Sequence, residues 1–324
     1  METKIDRILK LLEEGKGYKE IAKAVEVNHS YVKLIGSIYK RLKTKTAELK
    51  VETKDLTKVI SDTGINPAEI IDIPKPLYEN GREPYKLTGY RRIGILSDIH
   101  FPYHDYTALK TALRKLYEYE IDTLILNGDI VDFYSISFWE RKPDRRNLNL
   151  ERELVLKALD RIRKIFPDVK IIYKEGNHEE RLERFLIKKA PELWELEELK
   201  VENFLKLSDF GIDYVKDKRR IEAGELDIIH GHEYRSFASV NIAISFLRKT
   251  FRNVLLGHFH RKQEDTKKTI RDELSGAWIV GCLCDLKPDY SPNNEWTHGF
   301  AFVELFENGY FSVKNHLIQG EEVF

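Results

Sequence analysis

Apolar and polar positions follow two different rhythms along this chain. Over the first 45 residues the apolar positions recur at helical spacing. Ile5, Ile8, Leu9 and Leu12 in "IDRILKLLEEGKG" predict a helix that ends at Gly15 or Gly17. "YKEIAKAV" predicts a short second helix and "EVN" a tight turn. "HSYVKLIGSIYKRLK" predicts a third helix with Val32, Ile35, Ile38 and Leu42 turned inward. From about residue 90 the rhythm becomes strand, loop, helix. Strands are expected in "RIGILSDIH", "DTLILNGDIVD" and "VKIIYKEGNHEE", with helices over about 105–119, 151–165 and 178–189. Further runs, "ELDIIHGH", "NVLLGHFHR", "GAWIVGC", "GFAFVEL" and "YFSVKNH", predict more strands, some antiparallel, with a helix near 238–250. This alternation argues for an α/β sheet with ligands at the strand ends. Between the two regions, residues 46–90 are polar and carry Pro67, Pro74, Pro76 and Pro84, which predicts a linker. The expected division is therefore 1–45, 46–90 and 91–324.

Composition adds bounds to this picture. Hydrophobic residues make up 42% of 324, enough for a substantial core and inconsistent with a disordered chain. No apolar run reaches bilayer length, and the charged N-terminus lacks the apolar segment of a secretory signal. A soluble, cytoplasmic protein with no membrane partner is expected. Lys+Arg and Asp+Glu both number 54, so any argument for nucleic-acid binding must be local. Cys282 and Cys284 have the spacing of neither a disulfide framework nor a two-arm zinc site, and read as small residues beside a core strand.

One local argument exists. The N-terminal unit resembles a helix-turn-helix of DNA-binding proteins: Ile21 and Ala22 inside the second helix, Val27 in the turn, and Val32 anchoring the third. That resemblance implies a third helix in the major groove. Residues 29–45 hold Lys33, Lys40, Arg41, Lys43 and Lys45 and no acid, which suits phosphate contact. Residues 18–45 are thus a candidate DNA or RNA surface, and a protein-docking unit with a solvated basic face is the alternative.

In "VLLGHFHRKQ", two histidines flank Phe259 after an apolar run. Along an extended chain His258 and His260 would leave on one side and Phe259 on the other. Other strands also end in potential metal ligands: Asp98 and His100 in "SDIH", Asp129 in "NGDIVD", Asn177 and His178 in "GNHEE", His230 in "IIHGH". Each alone has a plain explanation as a cap, a turn or a strand-end histidine. Five such groups in this order are hard to ascribe to chance.

The order resembles the calcineurin-like metallophosphoesterase family: Asp-x-His, Gly-Asp-x-x-Asp, Gly-Asn-His-Asp/Glu, His, then Gly-His-x-His, over roughly residues 91–315, with Glu179 as the acidic variant of the third block. The resemblance implies a four-layer αββα sandwich of two mixed sheets, here with a small all-α N-terminal helix-turn-helix domain. It implies that Asp98, His100 and His260 hold one ion, that Asn177, His230 and His258 hold another, and that Asp129 bridges them. Such a donor set suits Mn²⁺, Fe or Zn²⁺. Two dications about 3.5–4 Å apart would share a hydroxide that attacks a phosphate ester. His178 would then stabilise the transition state or protonate the leaving oxygen, and Asp132 would orient it.

Three further residues are open. His232 repeats the alternation after His230 and lines the pocket or does not. Arg181, one turn after His178, reaches a substrate phosphate or pairs with Glu180 or Glu183. His104 approaches the site or bonds Asp105. Phe133 stands where serine/threonine phosphatases carry arginine, which argues against phosphoprotein hydrolysis. The following "FYSISFWERKPDRRN" either stacks bases and meets phosphates through Arg141, Lys142, Arg145 and Arg146, or forms a lid with Phe133, Phe138 and Trp139 packed inward. The functional expectation is a phosphodiesterase or nuclease for nucleic acid or nucleotides, its N-terminal unit targeting nucleic acid. The alternative is a DNA-binding regulator or adaptor with a non-catalytic phosphoesterase domain.

Overall fold

Thr3 and Asp6 cap each other at the start of α1 (Lys4–Glu13): Asp6 N donates to Thr3 Oγ1 at 3.2 Å and Thr3 N donates to Asp6 Oδ2 at 2.8 Å. The helix belongs to a computed structural model that describes residues 3–46, 83–89, 91–140, 142–234, 240–268, 270 and 272–324. The chain divides into two compact units, Met1–Glu79 and Asn80–Phe324.

In the smaller unit, α2 (Tyr18–Val25) and α3 (His29–Thr46) pack with α1 around Ile8, Ile21, Ala22, Val25 and Val32. Ile5 is exposed, and the inward face of α3 runs through Val32, Gly36 and Tyr39, with Ile35 and Ile38 half-buried. Gly36 explains the shift, because a Cβ there would lie 2.6 Å from the Tyr18 ring. Its absence turns this stripe toward α2. Tyr39 then carries its hydroxyl to Glu13 Oε1 at 3.3 Å. The side chain of Leu42 lies outside the described residues, as does the expected linker apart from Thr46 and residues 83–89.

Within the larger unit, β1 (Tyr85–Lys86) pairs in parallel with β6 (Ile221–Ala223). Tyr85 donates its hydroxyl to Asp213 Oδ2 at 2.6 Å, and Leu87 is buried among the strands. Tyr85, Lys86 and Leu87, upstream of the expected boundary at 91, thus already contribute to this unit. The remaining strands are β2 (Arg92–Leu96), β3 (Thr123–Asn127), β4 (Lys170–Lys174), β5 (Ile212–Val215), β7 (Leu226–Ile229), β8 (Asn253–Leu256), β9 (Gln263–Lys268), β10 (Leu274–Ile279), β11 (His298–Leu305), β12 (Phe311–Gln319) and β13 (Glu322–Val323). One seven-stranded sheet runs β13-β12-β11-β2-β3-β4-β5, and one six-stranded sheet runs β1-β6-β7-β8-β10-β9. Both are mixed: β2 to β5 are parallel while β11 to β13 are antiparallel, and β7, β8 and β10 are parallel while β9 is antiparallel.

Side-chain alternation sorts each strand between two cores. Ile93, Ile95, Ile125, Leu226, Ile228 and Leu255 fill the space between the sheets. Leu96, Leu124, Leu126 and Tyr173 turn outward onto α4 (Tyr106–Glu118) and α5 (Leu148–Ile165). Ile229, Val254 and Leu256 turn the other way onto α6 (Ile242–Thr250). The result is the helix–sheet–sheet–helix layering expected for this unit. No described helix is long and apolar enough to cross a membrane.

Candidate metal centre

Because β2, β3 and β4 are parallel neighbours, and β7 and β8 likewise, their C-terminal loops gather at common edges. The chain turns sharply there. Asp98, His100, Asp129, His258 and His260 all adopt left-handed backbone conformations, with φ between 53° and 69°. That region costs a residue with a Cβ of order 1–3 kcal/mol unless its surroundings hold it, and such outliers gather at functional sites. The turns correct the expectation of two histidines side by side on an extended strand. Strand β8 stops at Leu256, Phe259 N donates back to Gly257 O at 2.8 Å, and the two imidazoles diverge. His260 goes to Asp98 and His100, while His258 goes to His230 and Asp129.

Two donor groups result: Asp98, His100, Asp129 and His260, and Asp129, His230 and His258. Asp129 belongs to both. In the first, His100 Nε2 and His260 Nε2 face each other at 3.2 Å, and His260 Nε2 lies 3.2 Å from Asp98 Oδ1. In the second, His230 Nε2 lies 3.3 Å from Asp129 Oδ2 and 3.3 Å from Asn177 Oδ1.

These contacts call for positive charge between them. His230 Nδ1 donates to Asn127 O at 2.8 Å, so its Nε2 lone pair would face two oxygens unless a proton or a cation intervenes. Burial pulls the His230 imidazole down, but Asp129 outweighs it and raises it to about 10. His258 is held neutral, lowered to about 4 by burial and by the charge of His230. Burial also opposes ionisation of Asp98, yet His260 holds its carboxyl well below the usual range. Asp98 Oδ2 is engaged by the Ser97 hydroxyl at 2.6 Å and by His258 N at 2.8 Å, whereas buried Oδ1 faces His260 Nε2 at 3.2 Å without hydrogen-bond geometry. Anionic carboxylates, an amide oxygen and imidazoles converging in one buried place fit metal cations.

A model of the calcineurin-like phosphoesterases matches residues 91–280, more than half of the chain. The chain belongs to the calcineurin-like phosphoesterase family. Gene 54 protein of Mycobacterium phage L5 is 26% identical over 235 residues, covering 66% of this chain and 89% of that protein. Gene 54 protein of Mycobacterium phage D29 is 26% identical over 186 residues, covering 53% and 70%. Among solved structures, Vacuolar Protein Sorting 29 from Cryptosporidium parvum has 13% identity and a TM-score of 0.34, covering 69% of this chain and 96% of that one. YfcE, a phosphoesterase from E. coli, has 11% identity and a TM-score of 0.34, covering 69% and 98%.

For this calcineurin-like phosphoesterase, the groups beside the donors differ in detail from the sequence expectation. Asp132 serves both imidazoles: its carboxylate Oδ2 lies 3.1 Å from His100 Nδ1 and 3.4 Å from His178 Nδ1, and its main-chain oxygen accepts from His178 Nδ1 at 2.9 Å. Arg181 pairs with neither Glu180 nor Glu183. Its Nη1 donates to Asp132 O at 2.8 Å and Oδ1 at 3.2 Å, and its Nη2 donates to His178 Nε2 at 2.8 Å. His232 is buried beside His230 and bonded through Nε2 to Glu180 Oε1 at 2.9 Å, so the geometry commits it to a carboxylate and not to an open pocket. His104 lies on the Phe101 ring, and Asp105 caps α4 through Ala108 N. Cys284 places its sulfur 3.9 Å from His260 Nδ1.

Several supporting roles escaped the sequence reading, in which Glu179 figured only as the acidic residue of the third block. Fully buried Glu179 accepts from Asp129 N, Ile130 N, Val131 N, Gly176 N and the Tyr173 hydroxyl, tying two ligand loops together. Lys174, also fully buried, pairs with Glu233 at 2.7 Å, and Glu233 accepts from His230 N and Gly231 N. Glu151 on α5 accepts from Tyr134 N and Ser135 N and pins the loop after Asp132. A lysine closing the apolar run "VKIIYK" was the one local signal for Lys174.

Proposed function

We propose that this chain is a metal-dependent phosphodiesterase acting on nucleic acid or nucleotides. Asp98, His100 and His260 would hold one ion, Asn177, His230 and His258 another, with Asp129 between them. When bound, Mn²⁺ or an equivalent ion lowers the pKa of water and draws charge from the phosphoryl oxygens. The observation that carries this reading is the overlap of two donor groups at Asp129.

The proton chemistry belongs to side chains. In the resting arrangement Arg181 caps Nε2 of His178, and Nδ1 is committed to the Asp132 carbonyl. A phosphate that draws Arg181 onto itself uncovers that nitrogen. Burial disfavours charge on His178, but Asp129 and Asp132 outweigh it and favour the imidazolium. Once uncovered, Nε2 takes up a proton from solvent, and that proton passes to the leaving oxygen as its bond to phosphorus breaks, which returns the imidazole to its neutral Nδ1–H form. Phe133 is fully buried against Phe204, so the position that bears arginine in phosphoprotein phosphatases presents nothing to a substrate here. Residues 1–45 act as a targeting head: Lys33, Lys40, Arg41 and Lys43 are exposed along α3 and suit phosphate contact.

The test uses the full chain with bis(p-nitrophenyl) phosphate and p-nitrophenyl phosphate in Mn²⁺, before and after chelation, with elemental analysis alongside. Diester turnover that chelation removes is expected. A metal-loaded protein that hydrolyses neither ester yet shifts duplex DNA is instead a DNA-binding adaptor.

A further inference from the structure

We infer that two loops beside the metal centre form a binding site for the nucleotide flanking the scissile phosphate of a single-stranded nucleic acid, and that Asp289 stands where that nucleotide's phosphate would lie. The inference rests on the phosphodiesterase reading. One loop follows Asp132 and is described over 133–140 and 142–147, with Arg141 outside the described residues. The other, residues 285–297, is the part of the β10–β11 connection that leads into β11. The first begins next to Asp132, which meets His100 at 3.1 Å, and in the second the Trp296 ring lies edge-on to His260 with centroids 4.2 Å apart.

Asp289 joins the loops. Its Oδ2 receives Lys142 Nζ at 2.6 Å and Arg145 Nη1 at 3.2 Å. All three side chains are about half exposed, and ion pairs so exposed add little to stability. Two cationic heads on one carboxylate oxygen leave an excess positive charge, and their arrangement is that of a phosphate site.

Aromatic rings stand beside this cluster. Phe138, Trp139 and Tyr290 are 84%, 74% and 79% exposed, which removes the packed-lid alternative for the first two. The loop that carries Phe138 and Trp139 is nevertheless pinned. Glu151 takes the Tyr134 and Ser135 N–H groups, Trp139 N donates to Ser137 Oγ at 3.2 Å, and Lys142 N donates to Tyr134 Oη at 2.8 Å. The Tyr290 ring stands edge-on to Trp296, with centroids 6.2 Å apart, and so lies one ring away from His260. Exposed rings on a pinned loop beside paired cations are the elements that bind unstacked bases and their phosphates. A duplex keeps its base faces covered, so a single strand is the fitting ligand.

The test is fluorescence anisotropy of a labelled oligothymidylate with the full chain in chelator, repeated across salt. Asp289→Asn should bind about 5-fold tighter, with a salt slope steeper by about 0.7, one phosphate's worth for a single strand. Trp139→Ala should bind about 10-fold more weakly, the scale of one lost base stack. Both sites are exposed, so matching melting curves will exclude misfolding. Unchanged or weaker binding by Asp289→Asn overturns the proposal, as does unchanged binding by Trp139→Ala. Turnover of bis(p-nitrophenyl) phosphate by the wild type is read separately. Its absence, with the binding pattern intact, removes the phosphodiesterase reading and leaves the nucleotide site standing.

Discussion

Arg181 donates a hydrogen bond to Nε2 of His178 at 2.8 Å, and His178 donates from Nδ1 to the Asp132 carbonyl at 2.9 Å. A guanidinium cannot accept and a carbonyl cannot donate, so this imidazole rests as a single neutral tautomer. Asp129 and Asp132 favour its charged form and Arg181 opposes it. Arg181→Ala should therefore raise the His178 pKa. If the charged imidazole is the acid, activity is lost as pH rises through that pKa. The alkaline limb of kcat/KM then moves to higher pH in the variant while the maximum falls. A limb that stays in place or moves downward would exclude His178 as the acid.

Asp129 is the donor common to both groups, so its loss should cost both ions and not one. Asp129→Ala is expected to reduce bound metal at both positions and to lower diester turnover by at least about 100-fold, the scale reached by losing even an outer partner of a ligand. His258→Ala should leave the group of Asp98, His100 and His260 able to bind. Metal stoichiometry of the two variants by elemental analysis separates the cases.

The strands and the order of the donors were legible because strand period and exit position are local properties. Ile93, Ile95 and Leu96 alternate within five residues, and Asp98 follows directly. What was not legible depends on distant pairs or on backbone torsion. Alternation could not show that His258 and His260 take positive φ and part company. Lys174 and Glu233 stand 59 positions apart in the sequence and meet only in the fold. The stripe on α3 shifts from Ile38 to Tyr39 because Gly36 admits the Tyr18 ring, a contact between two helices.

Glu179 receives five donors, all N–H or O–H, on its two oxygens. In Glu179→Gln, one oxygen becomes an NH₂ that faces donors, most simply Asp129 N and Gly176 N. Each buried group left unsatisfied costs about 1–3 kcal/mol. The variant should melt earlier, and its metal affinity should fall about 10- to 100-fold because the Asp129 loop loses its anchor. Isothermal titration with Mn²⁺ measures the second effect. Affinity equal to wild type would leave Glu179 a purely structural part.

Lys174 and Glu233 form a buried ion pair that supports the His230 loop, and its pH dependence can be read against the rest of the fold. Burial raises the Glu233 carboxyl, but Lys174, followed by His232 and His230, overcomes this and holds it at about 2 against an ordinary 4.5. A depressed carboxyl contributes its stability above the unfolded value and loses it as pH falls from 4.5 toward 2. Across that window the contribution is about 3 kcal/mol. Lys174→Met leaves Glu233 buried without its cation, which costs about 3–5 kcal/mol near neutral pH. Its carboxyl then takes up a proton earlier, so the variant's stability should fall less steeply between pH 4.5 and 2 than the wild type's. All four tryptophans, Trp139, Trp194, Trp278 and Trp296, lie in the larger unit, so tryptophan fluorescence in denaturant titrations reports on it alone. Parallel acid limbs for the two proteins would mean that Lys174 does not set the Glu233 charge. The His230 loop would then owe its position to the Asn127 contact instead.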